Sequence, residues 1–385
     1  MPRFRLSPTL AQQMVLLEHC RHARFVWNLA VEQHGFWQPG LHAPGDNEQC
    51  AQLTAIRAEY AWLAVGSQTV QQQALRDFAR AMQSFFAGVN RHPTWRKAGV
   101  HEGFRQVGLR PHHVRKLNKR YGLVWVPRIG WIRFRGTRAV PADVKSYRIT
   151  HDRSGRWHVA FTQIPQSIPG PMDGTVVGVD RGVAVSAALS TGELLHAPSL
   201  TPGEEIRLRR LQQHLARAKR GSNRRGRVEL AIAKLKAREG DRRNDWAEKV
   251  TTDLARRFDT IRVEQFDVRA MTRSARGTVD KPGVQVAQKR GLNRAINQQA
   301  WGRIVVRLDY KAAGRLERVP AAYTSQPMRR LRARRARKPQ EPSGIRVRRL
   351  QGGAVQRRCQ RCPQHRRRTG GTSTGRPRRR AVCEL

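Results

Sequence analysis

Two apolar runs in this sequence each end in a carboxylate. Thr175-Val176-Val177-Gly178-Val179 leads into Asp180, and Thr260-Ile261-Arg262-Val263 leads into Glu264. Short runs rich in β-branched residues read as buried strands, so each acid should sit at a strand end. Acids at the ends of adjacent strands can hold Mg²⁺, because carboxylate oxygens are the hard donors that this ion takes. Two such ions about 3.5–4 Å apart activate water and stabilise the leaving oxygen of a phosphodiester. Taken singly, either acid is better read as a polar residue closing a strand. The chemistry therefore depends on what surrounds the pair.

Charge says which substrate to expect. The 385 residues hold 75 Lys+Arg against 28 Asp+Glu, a net charge of +47. Such a charge repels itself unless a polyanion is near, so nucleic acid is the expected partner. A ribosomal or architectural RNA-binding protein would carry the same signature. Nine Trp and clear apolar periodicity exclude a merely disordered basic tail for most of the length. No run of about eighteen apolar residues occurs, which predicts no membrane helix. Met1-Pro2-Arg3-Phe4-Arg5 lacks the apolar segment of a secretory signal. Cys20, Cys50, Cys359, Cys362 and Cys383 form no regular framework, which fits a reducing cytoplasm.

The elements that must position these groups follow from periodicity. Leu10, Met14, Leu17, Cys20, Phe25, Val26, Leu29 and Val31 fall at helical spacing, with a break at Cys20-Arg21-His22 predicting two helices or one bent one. A second helix is expected over 67–89, with Val70, Ala74, Phe78, Met82 and Phe86 on one face. From Leu123 to Phe161 the period is two: Val124-Trp125-Val126, Trp131 to Phe134 and Trp157 to Phe161 alternate, with turns at Gly130 and Ser154-Gly155. This predicts a small antiparallel β unit interrupted by helices. The Pro-rich stretch 164–174 reads as a linker. After the Asp180 strand, a hairpin should turn at Ser190-Thr191-Gly192. Basic helical sequence then runs over 204–258, broken at Lys219-Arg220-Gly221-Ser222, and a last helix is expected over 293–312.

With those elements in order, the motifs resemble the TnpB (OrfB-type transposase) family. Gly178-Val179-Asp180-Arg181-Gly182 with Ser190-Thr191-Gly192-Glu193 is similar to the family's first RuvC motif. Val263-Glu264-Gln265-Phe266-Asp267-Val268 with Met271 is similar to the second. Leu208 to Gln212, Lys219 to Ser222 and Arg242-Arg243-Asn244-Asp245-Trp246 resemble its basic helical insertion. Ala295-Ile296 through Ala300-Trp301-Gly302 and Leu308 to Ala312 resemble the helix that follows. Phe4 to Thr9 and Cys20-Arg21 to Ala30 resemble the opening helix-turn-helix-like segment, and Phe85-Phe86 to Pro93-Thr94-Trp95-Arg96-Lys97 the basic central block.

The resemblance covers residues 1–326 and implies RNA-guided cleavage of DNA. A transposon-derived guide RNA would pair with a DNA target, held through backbone charge, and one RuvC-like site would hydrolyse phosphodiesters with Mg²⁺. In that picture Asp180 and Glu264 are catalytic metal ligands, and Trp95, Lys97 and Arg105 face nucleic acid. Two other functions stay open: a non-catalytic RNA- or DNA-binding relative, and a basic RNA-associated structural protein.

Past Gln326 the texture changes. Residues 327–385 hold 20 Lys+Arg and 2 Glu, which leaves +29 on residues 1–326, so the nucleic-acid expectation survives without them. The family continues here with a zinc ribbon and a third RuvC motif bearing an Asp, and neither is present. Read one nucleotide later, with Arg as CGN and Leu as CTN, the codons of Met328, Leu331, Val347 and Leu350 permit cysteine. Those positions give C-x₂-C, fifteen residues, then C-x₂-C, the spacing of a zinc ribbon. Codons 356–365 then permit Asn-Ala-Asp-Val-Asn-Ala-Ala-Arg-Asn-Ile, with the missing Asp at Arg358. A one-nucleotide shift near codon 327 is the simplest account. Cys359, Cys362, His365 and Cys383 offer four apparent zinc ligands, but the arginines around them oppose a cation. Zinc is thus expected of the family and not of this chain.

The expected fold is α/β. Residues 1–165 should form a helical, helix-turn-helix-like and β-barrel-like nucleic-acid-binding lobe. Residues 175–326 should form a RuvC/RNase H-like mixed sheet with a helical insertion, and 327–385 a disordered basic tail. With two of three carboxylates, Mg²⁺ binding and hydrolysis should be impaired.

Overall fold

Strand β1 (Arg3–Ser7) opens the chain, and Thr9 starts helix α1 (Leu10–Gly35) through a reciprocal cap. The Thr9 hydroxyl accepts from Gln12 N at 3.3 Å, and Gln12 Oε1 accepts from Thr9 N at 3.0 Å. The computed structural model describes residues 3–36 and 44–320. The basic tail, the zinc-ribbon and third-motif positions, and the Cys359–Cys383 cluster all lie outside the described residues.

Helix α1 runs unbroken across Cys20-Arg21-His22, so of the two expected arrangements the pair of helices is absent and the segment is a single helix. The residues matching a helix-turn-helix-like opening form one strand and this one helix. The buried face matches the expected one only in part, sharing Cys20, Val26 and Val31. Leu16, Cys20, Ala23, Val26, Trp27, Ala30 and Val31 are buried, whereas Leu10 and Met14 are 77% and 67% exposed, and Leu17 and Phe25 are exposed too. His19 and His22, which break an apolar pattern on paper, lie inside. Burial pushes His19 down to about 4, so at neutral pH it is an uncharged ring packed edge-on against Phe104 at 5.2 Å.

Helices α2 (Asp46–Glu59), α3 (Ala61–Ala64) and α4 (Gln68–Phe86) follow. Helix α4 buries Val70, Ala74, Phe78 and Met82 as its spacing predicts, with Phe86 exposed at its end. It packs on α1, where Trp27 and Phe78 meet edge to face at 5.5 Å.

The first sheet uses β1, β2 (Glu102–Val107), β3 (Val114–Lys116), β4 (Tyr121–Val126), β5 (Gly130–Arg135), β6 (Ser146–His151) and β7 (Trp157–Phe161). Its order is β2-β6-β7-β1-β5-β4-β3, antiparallel throughout. Helices α1 to α4 stand between β1 and β2, and a three-residue 3₁₀ turn, Pro111–His113, lies between β2 and β3; within the 123–161 stretch itself no helix interrupts the strands, contrary to the expectation. Strand β1 pairs with β7 through Arg3–Arg5 and with β5 through Leu6–Ser7. It therefore serves as the corner between two half-sheets. Strands β2 and β3 end the order without pairing to each other, so hydrogen bonding leaves the sheet open rather than closing a barrel. Gly130 (φ 84°) and Gly155 (φ 80°) make the expected turns. Gly122 is required by contact, since a Cβ there would lie 2.4 Å from the Phe134 ring.

A second sheet has the order β10-β9-β8-β11-β12, from β8 (Val176–Asp180), β9 (Ala187–Leu189), β10 (Leu194–Leu195), β11 (Thr260–Gln265) and β12 (Leu316–Pro320). Strands β8, β11 and β12 run parallel, while β9 and β10 are antiparallel neighbours. Between β10 and β11 stand α5 (Pro202–Arg217) and the 35-residue α6 (Asn223–Arg257), separated at the predicted break. Then come α7 (Val268–Met271), α8 (Val286–Gln298) and α9 (Trp301–Lys311). The single helix expected over 293–312 is two, divided at Ala300 with φ 60°. Strand β12 was not expected, because Leu-Glu-Arg-Val-Pro is short and polar and pairs only as a sheet edge.

One core joins β8 and β11 to α6 and α9 through Val177, Val179, Ile261, Val263, Leu254, Ile304 and Leu308. Lys311 Nζ bridges the two helices, 2.7 Å from Glu248 Oε2 and 3.0 Å from Thr251 Oγ1. The Pro-rich linker is tied down: Ile168 N donates to Lys311 O at 2.7 Å, and Asp259 accepts from Met172 N and Gly174 N. Among the described residues no helix is long and apolar enough to cross a membrane.

Candidate active site

Parallel pairing of β8 with β11 decides where the two acids go. The register sets Ile261 beside Val177, Arg262 beside Gly178 and Val263 beside Val179. One residue further, Glu264 falls beside Asp180. Side chains alternate between faces, and Val177, Val179, Ile261 and Val263 are all buried on the core side. Asp180 and Glu264 therefore share the opposite face, on strands about 4.8 Å apart. Asp180 is exposed and Glu264 partly so. On its other side Asp180 pairs with Ala188 of β9.

Arg181 backs this pair. It is only 5% exposed, donates through Nη2 to the Glu264 carbonyl, and lies 4.6 Å over the Phe266 ring. Phe266 in turn meets Trp301 at 5.4 Å. Burial lowers the Arg181 pKa, and the negative charges of Glu264 and Asp180 oppose that shift. The loop after Arg181 is fastened by Gln299. Its Nε2 donates to Val183 O at 2.9 Å, and its Oε1 accepts from Ser186 Oγ at 2.5 Å. Arg181 falls within the first motif but has no role assigned there, and Ser186 and Gln299 are not singled out in the sequence. Adjacency to Asp180 could have flagged Arg181; nothing local flags Gln299, over a hundred residues away.

Two carboxylates near in sequence to the pair are engaged elsewhere. Asp267 caps α7, with Oδ1 accepting from Ala270 N at 3.0 Å. Glu193 is paired to Arg257 at 2.5 Å. That contact lies beside the end of α6, just before β11 begins, and so toward the other end of the sheet from Asp180. Among the described residues no group of three or more His, Cys, Asp or Glu is arranged to hold a metal.

The residues expected to face nucleic acid divide. Trp95 and Lys97 lie in a loop clamped to α1: Trp27 Nε1 donates to Thr94 O at 3.0 Å, and Asn28 exchanges bonds of 3.1 and 2.7 Å with the Arg96 backbone. Arg96 sits 3.7 Å over Trp27, its pKa lowered by burial to about 10. Trp95 is left 50% exposed, and Lys97 is exposed. Arg105, on β2, is mostly covered and 3.9 Å from Asp77. It shares that acid with Arg148 at 2.5 Å, a structural use of its charge.

Comparison with known proteins adds the following. The sequence model of the OrfB_IS605 family, described as "Probable transposase", matches residues 158–275, and the "Helix-turn-helix domain" of that family matches residues 2–34. The chain is 31% identical over 335 residues to "Putative RNA-guided DNA endonuclease InsQ" of Escherichia coli (strain K12), covering 84% of this chain and 81% of that protein. It is 27% identical over 316 residues to "Putative RNA-guided DNA endonuclease" of Streptomyces pristinaespiralis, covering 81% and 74%. Among solved structures, a CRISPR-Cas12f ternary complex aligns at a TM-score of 0.30 and 10% identity, over 82% of this chain and 72% of that one.

Proposed function

The chain belongs to the TnpB-like, OrfB-type transposase family, and from that premise we propose that it is an RNA-guided DNA endonuclease with a RuvC-like site on Asp180 and Glu264. The observation that carries this is the β8–β11 register, which sets the two acids side by side on one face of a mixed sheet. Their oxygens are donors that suit Mg²⁺; once bound, the metal would supply water activation and charge stabilisation at the leaving oxygen. Asp180 and Glu264 present the donors. Arg181 fixes the end of β11 through the Glu264 carbonyl, and Gln299 fixes the loop beyond. Trp95 and Lys97, held out by the α1 clamp, contact the nucleic acid, a target DNA and a guide RNA.

This chain cuts poorly. Two carboxylates share a site that in the family has a third, and the alternative frame permits that third acid at the position of Arg358, outside the described residues. Asp267 and Glu193 each have another partner, the start of α7 and Arg257, and neither lies in a motif for the third acid. Two acids beside a buried guanidinium hold a divalent cation weakly. Binding of RNA and DNA does not need the third acid and is retained. Zinc would belong to the same alternative frame.

A plasmid-nicking assay with Mg²⁺ and guide RNA tests the whole reading. The chain as given is expected to nick slowly or not at all. A version with residues 327 onward read one nucleotide later should cleave, and Asp180→Ala in that version should abolish cleavage. Robust cleavage that survives Asp180→Ala would overturn the assignment.

A further inference from the structure

The half-sheet formed by β3, β4 and β5 has two unlike faces. Its inner face, with Val124, Val126, Ile132 and Phe134, belongs to the core. The outer face is built in rows: Tyr121 opposite Arg135, Leu123 between Arg115 and Arg133, and Trp125 opposite Trp131. The three rings are half-buried and the three guanidiniums exposed. Trp125 and Trp131 meet edge to face at 5.5 Å. Arg115 sits 4.5 Å over Trp131, and Arg133 sits 4.9 Å over Tyr121.

Among the described residues no acid is paired with this charge. Between residues 103 and 142 the sequence has ten Lys or Arg and no Asp or Glu. None of Arg115, Arg133 and Arg135 forms an ion pair among the described residues. An ordinary solvated face would intersperse acids and keep its large rings inside. An acidic protein surface would satisfy the guanidiniums but give the rings no planar partner. Duplex nucleic acid supplies phosphates but keeps its base faces within its own stack. Unpaired nucleotides supply both, since bases stack on aromatic rings while arginines track the backbone.

We propose that this face is a stacking platform for an unpaired stretch of RNA. Trp125, Trp131 and Tyr121 take bases, and Arg115, Arg133 and Arg135 take phosphates. Tyr121 and Trp125 stand about 13 Å apart along β4 by strand rise, so the platform engages several nucleotides. The choice of RNA rests on the RNA-guided reading above; the stacking chemistry does not. This site is also separate from Trp95 and Lys97, which lie on a loop against α1.

Binding of a labelled oligouridine dodecamer to the full-length protein, measured in EDTA at several salt concentrations, tests this. Trp125→Ala with Trp131→Ala should weaken binding roughly tenfold or more and leave the salt slope unchanged. Trp125→Phe with Trp131→Phe should bind within a few-fold of the parent. Arg115→Gln, Arg133→Gln and Arg135→Gln together should flatten the slope of log affinity against log salt by about two units. Should the alanine pair fail to melt cooperatively, the phenylalanine pair and the arginine triple still decide. Parental affinity in a folded alanine pair, or an unchanged slope in the triple, would overturn the platform. A deoxythymidine dodecamer bound as tightly, and weakened as much, would assign the face to single-stranded DNA and overturn the RNA assignment. Because EDTA removes any dependence on Asp180 and Glu264, failure of the nicking assay and failure of this one are distinguishable.

Discussion

Asp180 and Glu264 are separated by 84 positions in sequence, yet each could be recognised because its strand announces itself. Buried β-branched side chains alternate with others, and the acid follows the last of them. What the sequence could not supply was the register, which depends on β8 and β11 being parallel neighbours. Arg181 illustrates the same limit. Its identity is visible, but its burial and its bond to the Glu264 carbonyl arise only when β11 is placed. It plays two opposed parts, holding the β11 end in position and placing a positive charge close to the two acids proposed to bind a cation. In a partly buried site that charge should dominate, since repulsion grows as the dielectric falls. Arg181→Met keeps the length and removes charge and donor together. It should lower the urea midpoint by an amount equivalent to about 1–3 kcal/mol, the cost of a buried carbonyl losing its partner. Mn²⁺ affinity, followed by calorimetry, should rise several-fold. Weaker Mn²⁺ binding in a folded variant would show that positioning outweighs repulsion.

Helices and strands were legible wherever one face is apolar by composition. Helix α4 and strands β4, β5 and β7 follow their periodicity, as does the break between α5 and α6. Helix α1 does so only in part. Its exposed Leu10, Met14 and Leu17 are more apolar than the His19 and His22 that replace them inside. A histidine kept neutral by desolvation is a flat ring of moderate polarity, and hydropathy alone cannot see that state. The Gln299–Ala300 break between α8 and α9 has a related cause. Neither residue is a helix breaker by type; the left-handed Ala300 and the Gln299 bonds to Val183 and Ser186 are tertiary. The phase of α1 is open to direct measurement. Leu16→Ala, at a fully buried position, should cost about 2–5 kcal/mol in urea unfolding. Met14→Ala, two residues away and 67% exposed, should change stability by less than about 0.5 kcal/mol. The reverse ranking would put the helix on its other face.

Charge governs the molecule as a whole. Residues 1–326 carry +29 of the total +47, and many of the ion pairs that do form are local, such as Lys249–Asp245 and Arg225–Glu229 within α6. Exposed pairs of this type contribute little, so screening them costs little. Self-repulsion among the remaining cations extends over the whole surface and is relieved by salt within a Debye length of about 10 Å at 0.1 M. Two opposite responses to salt follow. In the absence of nucleic acid, raising NaCl from about 0.15 to 0.5 M should increase the melting temperature, because repulsion is the larger effect being screened. With a saturating RNA present, the melting temperature should start higher through linkage to the bound state and then fall over the same range, as salt releases the ligand. The two curves should converge at high salt. A melting temperature that falls with salt in the free protein would mean that specific ion pairs, such as those joining Arg156 to Asp152 and Asp241, outweigh the net charge.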